Sequence, residues 1–145
     1  MIDLYTSVGR WATGIALWAF AGMAATAATS VSLYHDPLCG CCHQYAAHLR
    51  DAGFKVDVQP MGDARARFEQ AGVALNLASC HMMTIDDYVV VGHVPLSAID
   101  KLRTERPDIK GIALPGMPIG TPGMPGPKQQ PFVVRTLAGD IYTRI

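Results

Sequence analysis

Three of the four cysteines in this 145-residue chain fall within four positions, Cys39-Gly40-Cys41-Cys42, and the fourth is Cys80. Sulfur spaced in this way does two kinds of chemistry. Cys39 and Cys42 form a C-x-x-C pair, the spacing of a dithiol that opens and closes a disulfide. Cys41 has no part in such a pair, and a bond between the neighbours Cys41 and Cys42 would be strained. Three sulfurs in four residues are better understood as thiolate ligands for a soft cation, with Cys80 as the fourth. Neighbouring helical positions diverge by about 100°, so Cys41 and Cys42 converge poorly on one ion. Bridging thiolates and more than one metal ion are therefore expected. A competing reading ties Cys80 by a disulfide to one of the cluster, where closing a loop of about forty residues contributes roughly 4 kcal/mol through chain entropy.

Soft thiolates select Cu(I), zinc or iron–sulfur. Zinc sites commonly pair two separated C-x-x-C knuckles, and only one is present here. The spacing also matches no common ferredoxin pattern. Met82, Met83, Met117 and Met124 add thioethers, which favour Cu(I) and place zinc second. Taken singly, each methionine is better explained by core packing or loop anchoring. Met117 and Met124 stand above the others because they occupy twin units, Pro115-Gly116-Met117-Pro118 and Pro122-Gly123-Met124-Pro125. Among the histidines, His81 ranks first as an added ligand because it follows Cys80 directly. His43 also follows a cysteine, His35 precedes the cysteine loop, His93 follows an apolar run, and His48 reads as a surface helix residue.

The elements around these residues can be read from periodicity. Val31 to Tyr34 is a short β-prone run, and His35-Asp36-Pro37 is a loop signal. From Cys42 the pattern turns helical, with Cys42, Tyr45, Ala46 and Leu49 on one face and Gly53 as the stop. Phe54, Val56 and Val58 then alternate with polar residues as a half-buried strand does. Strand, cysteine turn, helix and strand make a βαβ unit. The cluster then sits at a helix N-terminus, where unpaired N–H groups and the helix dipole favour thiolate over thiol.

Further along, residues 62–72 read as a second helix with Ala64, Phe68 and Ala71 on one side. Met82–Ile85 and Tyr88–Val91 suggest a hairpin about Asp86-Asp87. Pro95 can open a third helix, with Leu96, Ile99 and Leu102 inward and Pro107 as its stop. Residues 107–131 hold seven of the ten prolines and show no usual periodicity, so they read as a long Pro/Gly/Met-rich loop. Phe132–Leu137 and Ile141–Ile145 close the chain as a hairpin. The expected fold is an α/β domain, a mixed β-sheet flanked by helices.

Charge is balanced, with 12 basic and 12 acidic residues and no basic stripe, which speaks against a nucleic-acid partner. Residues 1–29 read as a secretory signal peptide. Arg10 closes a short n-region, Trp11–Met23 is apolar, and Ala24-Ala25-Thr26-Ala27-Ala28-Thr29 offers small-residue cleavage sites. The apolar run is shorter than the ~20 residues of a membrane span. An uncleaved anchor is the alternative; after cleavage no stable membrane span remains. Residues 30–145 would then form one domain, long enough to bury its own core. Both tryptophans, Trp11 and Trp18, would leave with the signal. Gly-rich phosphate cradles, Ser/His/Asp triads and paired catalytic carboxylates are not evident, so no catalytic residues are assigned.

Tyr34-His35-Asp36-Pro37-Leu38-Cys39-Gly40-Cys41-Cys42, Ser79-Cys80-His81, Gly92-His93-Val94-Pro95, Arg106-Pro107-Asp108-Ile109-Lys110-Gly111 and the two Pro-Gly-Met units together resemble the CopG-type periplasmic copper-resistance family. The resemblance runs over roughly residues 31 to 145. It implies a thioredoxin-like fold, a periplasmic address, and copper bound by Cys39, Cys41, Cys42 and Cys80. His43 and Met82-Met83 depart from the family's more neutral choices. Copper ions are the expected partners, with other envelope copper-handling proteins as donors or acceptors. Two functions follow. One is a Cu(I)-holding protein of copper resistance, with Cu(I)/Cu(II) redox handling as an extension. The other is a thiol–disulfide oxidoreductase in which Cys39 attacks and Cys42 resolves.

Overall fold

Val31 and Leu33 are buried and alternate with the more exposed Ser32 and Tyr34, so the first strand has one face on a core. The computed structural model describes residues 28–145. In chain order it has β1 (Ser30–His35), α1 (Gly40–Asp51), β2 (Lys55–Pro60), α2 (Ala64–Gln70), a 3-10 turn (Leu75–Leu77), β3 (His81–Ile85), β4 (Tyr88–Val91), α3 (Leu96–Glu105), β5 (Gly111–Ala113), β6 (Val133–Thr136) and β7 (Ile141–Arg144). One seven-stranded sheet runs β2-β1-β3-β4-β5-β6-β7. It is mixed: β1 lies parallel to β2 and β4 parallel to β5, and the remaining pairs are antiparallel.

The period of two sorts adjacent residues to opposite faces of the central strands. Met83, Val90 and Ile112 join Val31, Leu33, Tyr45, Leu49, Ile99 and Leu102 in the core under α1 and α3. Their neighbours Met82, Val91 and Ala113 face Met61, Phe68, Val73 and Leu77, in the second core under α2 and the 3-10 turn. Met82 and Met83 are thus core residues, as expected of a methionine taken singly.

The inward face expected of the first helix, Cys42, Tyr45, Ala46 and Leu49, is its buried face. Three expectations need correction. The second helix is shorter than residues 62–72, with Asp63 capping it through a side-chain bond to Ala66 N, and Ala64 is exposed rather than inward. Pro95 stands at the N-cap of α3 rather than inside it. Residues 107–131 are not one loop, because Gly111–Ala113 forms β5 against Val89–Val91. Three residues are too few to display a period, and the approach is close: a Cβ on Gly111 would lie 1.8 Å from Val89 O.

Candidate metal centre

Connections at one end of the sheet bring the sulfur and imidazole groups together. β1 ends at His35, which pairs with His81 at the start of the antiparallel β3. Cys80 therefore lies beside the turn that follows β1. β4 returns to the same end, where Gly92 N donates to His81 O over 3.1 Å, and His93 follows. Gly92 has φ 76° and a Cβ there would lie 2.6 Å from Leu114 O, so the chain can turn here only as glycine.

The turn into α1 is built by Asp36. Its carboxylate accepts from Leu38 N at 2.8 Å and its carbonyl from Cys39 N at 2.9 Å. Cys39 is the N-cap of α1, no side chain caps the helix, and its first turn has no acidic residue. The open N–H groups and the positive end of the dipole thus face the cysteine cluster. Cys39 and Cys42 are joined as a disulfide, leaving Cys41 and Cys80 as thiols. The expected alternative, a disulfide to Cys80, is therefore not the pairing found.

One ligand atom from each of Cys39, Cys41, Cys42 and Cys80 lies within 4.8 Å of all the others, the set drawn from the sequence. Cys39 Sγ and Cys41 Sγ are 3.4 Å apart. Cys42 is fully buried and its Sγ lies 3.8 Å from Cys80 O. A second group, Cys80, His81 and His93, satisfies the same spacing. Cys80 Sγ is 3.4 Å from His81 Nδ1 and 3.5 Å from His93 Nε2.

Both imidazoles are enclosed. Tyr45 packs against them with ring centroids 4.7 Å from His81 and 5.3 Å from His93, and its hydroxyl donates to Val94 O at 2.8 Å. Burial first, and then the neighbouring His93, holds His81 down to about 3. Burial also lowers His93, whose Nδ1 bonds Pro122 O at 2.7 Å. At neutral pH each ring is uncharged and keeps a lone pair for a cation. Burial first, and then repulsion from Cys41, pushes the Cys80 thiol up to about 11, so a metal must displace its proton.

The Pro/Gly/Met loop reaches this end as well. Gly123 has φ 81°, and a Cβ there would lie 2.8 Å from Cys41 O and 2.9 Å from Tyr45 N. Met124 follows, half-buried, whereas Met117 is 39% exposed. His43 is exposed and its Nε2 bonds Pro37 O, and His48 is only half-exposed on α1. His93 is the group that the sequence reading did not rank. Only the return of β4 to the β3 start places it there, and the Gly92-His93 turn is the local sign of that return.

The family profile described as "Protein of unknown function, DUF411" matches residues 77–124, which carry Cys80, His81, His93 and both Pro-Gly-Met units. Comparison with the curated proteins returns no match. Among solved structures, "Copper resistance protein copG- Form 2" is 38% identical with a TM-score of 0.74, over 81% of this chain and 98% of that one. "Copper resistance protein copG- Form 1" is 39% identical with a TM-score of 0.72, over 80% of this chain and 96% of that one. Likeness at this identity, spanning nearly the full length of both structures and joined to a cysteine cluster that fits copper, means that the chain belongs to the CopG copper-resistance family.

Proposed function

We propose that this protein is an exported, periplasmic copper-binding protein that holds Cu(I) on Cys39, Cys41, Cys42 and Cys80 as part of copper resistance. The observation that carries the reading is the convergence of four sulfurs within 4.8 Å at an uncapped helix N-terminus. Sulfurs gathered there bind as thiolates once a metal displaces their protons, and thiolates select a soft monovalent ion. In the disulfide form two of the four sulfurs are withheld, so a full complement of ligands requires reduction. A thiol reductant supplies two electrons and two protons, breaking the Cys39–Cys42 bond and leaving two thiols whose protons pass to water as the metal–sulfur bonds form.

One feature supports more than one copper ion: Cys41 and Cys42 are adjacent in α1, and neighbouring helical positions differ by about 100° in direction, which suits bridging thiolates better than one tetrahedral ion. The order β2-β1-β3-β4, with α1 following β1 and α3 following β4, supports a thioredoxin-like reading of the fold. Residues 1–27 of the proposed signal lie outside the described residues, and the proposed 30–145 domain begins with β1. The copper it holds is exchanged with other envelope copper-handling proteins.

The Cys39–Cys42 disulfide favours a second reading, in which the pair exchanges disulfides with protein thiols. Replacing Cys41 by serine separates the two. Under the copper reading, the Cu(I) bound per reduced chain falls while disulfide exchange continues. Unchanged copper stoichiometry in Cys41→Ser would leave the oxidoreductase reading in its place.

A further inference from the structure

Formation of the Cys39–Cys42 disulfide does not empty this end of the molecule of ligands. Cys80 is a free thiol, and neither His81 nor His93, which lie at ligand spacing from it, is engaged by the disulfide. Their spacing is informative. A tetrahedral ion with bonds of 2.3 Å to sulfur and 2.0–2.1 Å to imidazole nitrogen fixes the sulfur–nitrogen separation at about 3.5 Å. The separations found are 3.4 Å to His81 Nδ1 and 3.5 Å to His93 Nε2. Two of the three separations therefore already match the edges of a metal polyhedron, and the third, between the two nitrogens, lies within 4.8 Å.

The surroundings match a metal site in two further ways. His93 directs Nε2 at the sulfur while Nδ1 bonds Pro122 O at 2.7 Å, the arrangement by which a backbone carbonyl fixes the tautomer and ring angle of a ligating histidine. His81 is fully buried, and its Nε2 has no hydrogen-bond partner among the described residues. A buried polar atom left unpaired is costly and calls for an explanation, and the ring's other nitrogen, Nδ1, faces Cys80 Sγ.

We propose that the disulfide form of this protein retains a separate mononuclear site, Cys80 Sγ with His81 Nδ1 and His93 Nε2, for a divalent ion of the cupric class. One thiolate and two imidazoles make a harder donor set than four thiolates, and of the divalent first-row ions it binds Cu(II) most tightly. On binding, the Cys80 S–H bond breaks, the proton leaves to water and the sulfur–metal bond forms; no electron is transferred. The inference rests on the copper reading above and deepens it: the reduced site takes Cu(I), and the oxidised site takes the divalent ion.

The test uses the full mature chain, oxidised, with the Cys39–Cys42 bond verified by peptide mass and Cys41 and Cys80 verified as free. Co(II), which does not oxidise thiols, is titrated first, and Cu(II) is then examined by pulsed electron paramagnetic resonance. One equivalent of Co(II), a sulfur-to-cobalt charge-transfer band and two coupled imidazole nitrogens on Cu(II) are expected. Cys41→Ser should keep the site. His81→Gln and His93→Gln should each weaken it by more than the roughly 10–100-fold that loss of an outer-shell partner costs. The nitrogen coupling is read on the unaltered protein, so it decides the matter even where a variant folds poorly. Absence of cobalt uptake, sulfur ligation without nitrogen coupling, or loss of the site in Cys41→Ser would overturn the proposal. Cu(I) uptake by the reduced protein, measured in parallel, reports separately on the thiolate site.

Discussion

His81 is enclosed between Tyr45 and His93, and that enclosure has a pH signature in the metal-free protein. Its folded-state value of about 3 lies below the ordinary histidine value near 6.5. Between those two values the unfolded chain takes up a proton that the folded chain refuses, so stability is complete above 6.5 and is lost as pH falls toward 3. Urea midpoints measured at pH 7 and pH 4.5 should therefore drop at the lower pH, and His81→Gln should flatten the drop. An unchanged slope in the variant would assign the acid sensitivity to other groups. Tyr45 is the second residue whose role is local. Tyr45→Phe removes the bond to Val94 O and leaves that carbonyl without its partner, at a cost of about 1–3 kcal/mol in chemical denaturation. Its effect on copper stoichiometry should be nil, because the ring that packs on the imidazoles remains. These residue-scale features explain which ligands were legible. Cysteine spacing declares itself along the chain, whereas a histidine thirteen residues from Cys80 joins the site only through a strand return.

At the scale of elements, the site depends on three junctions: β1 into α1, the start of β3, and the turn after β4. Periodicity marked the strands and helices that make the first two, because each is long enough to show a face. α1 buries Cys42, Tyr45, Ala46 and Leu49 at the spacing of a helix stripe, and β1 alternates as a half-covered strand does. β5 escaped because it is three residues long and its first residue is glycine. The Pro/Gly/Met loop is legible as irregular but not as docked, since its docking depends on Gly123 meeting the start of α1. That contact makes a prediction. Gly123→Ala places a Cβ into Cys41 O on a backbone that L-residues seldom adopt, and should cost about 1–3 kcal/mol. Gly116→Ala, which has the same sign of φ and open space around it, serves as the control: it should cost less than Gly123→Ala by the clash alone. Equal losses would mean that the loop does not press on α1.

At the scale of the whole molecule, the described residues form a sheet with two cores and bring the cysteine and imidazole groups together at one end. Among the described residues no helix is long and apolar enough to cross a membrane. Export is a claim about the chain as a whole, and it has a direct readout. Protein recovered from the cell envelope should lack the mass of the first 29 residues or so and show no tryptophan fluorescence, because Trp11 and Trp18 are the only two. Retention of that fluorescence in the envelope-held protein would favour the uncleaved anchor. The balanced charge, 12 against 12, leaves no long-range field to recruit a polyanion, so recognition rests on the sulfur and imidazole groups themselves. The most direct measurement is an anaerobic titration of the fully reduced mature chain with Cu(I) against a competing chelator, with free thiols counted at each step. More than one Cu(I) per chain, taken up as all four thiols become protected, is the expected result. A reduced chain that leaves copper with the chelator while its four thiols stay reactive would contradict the account.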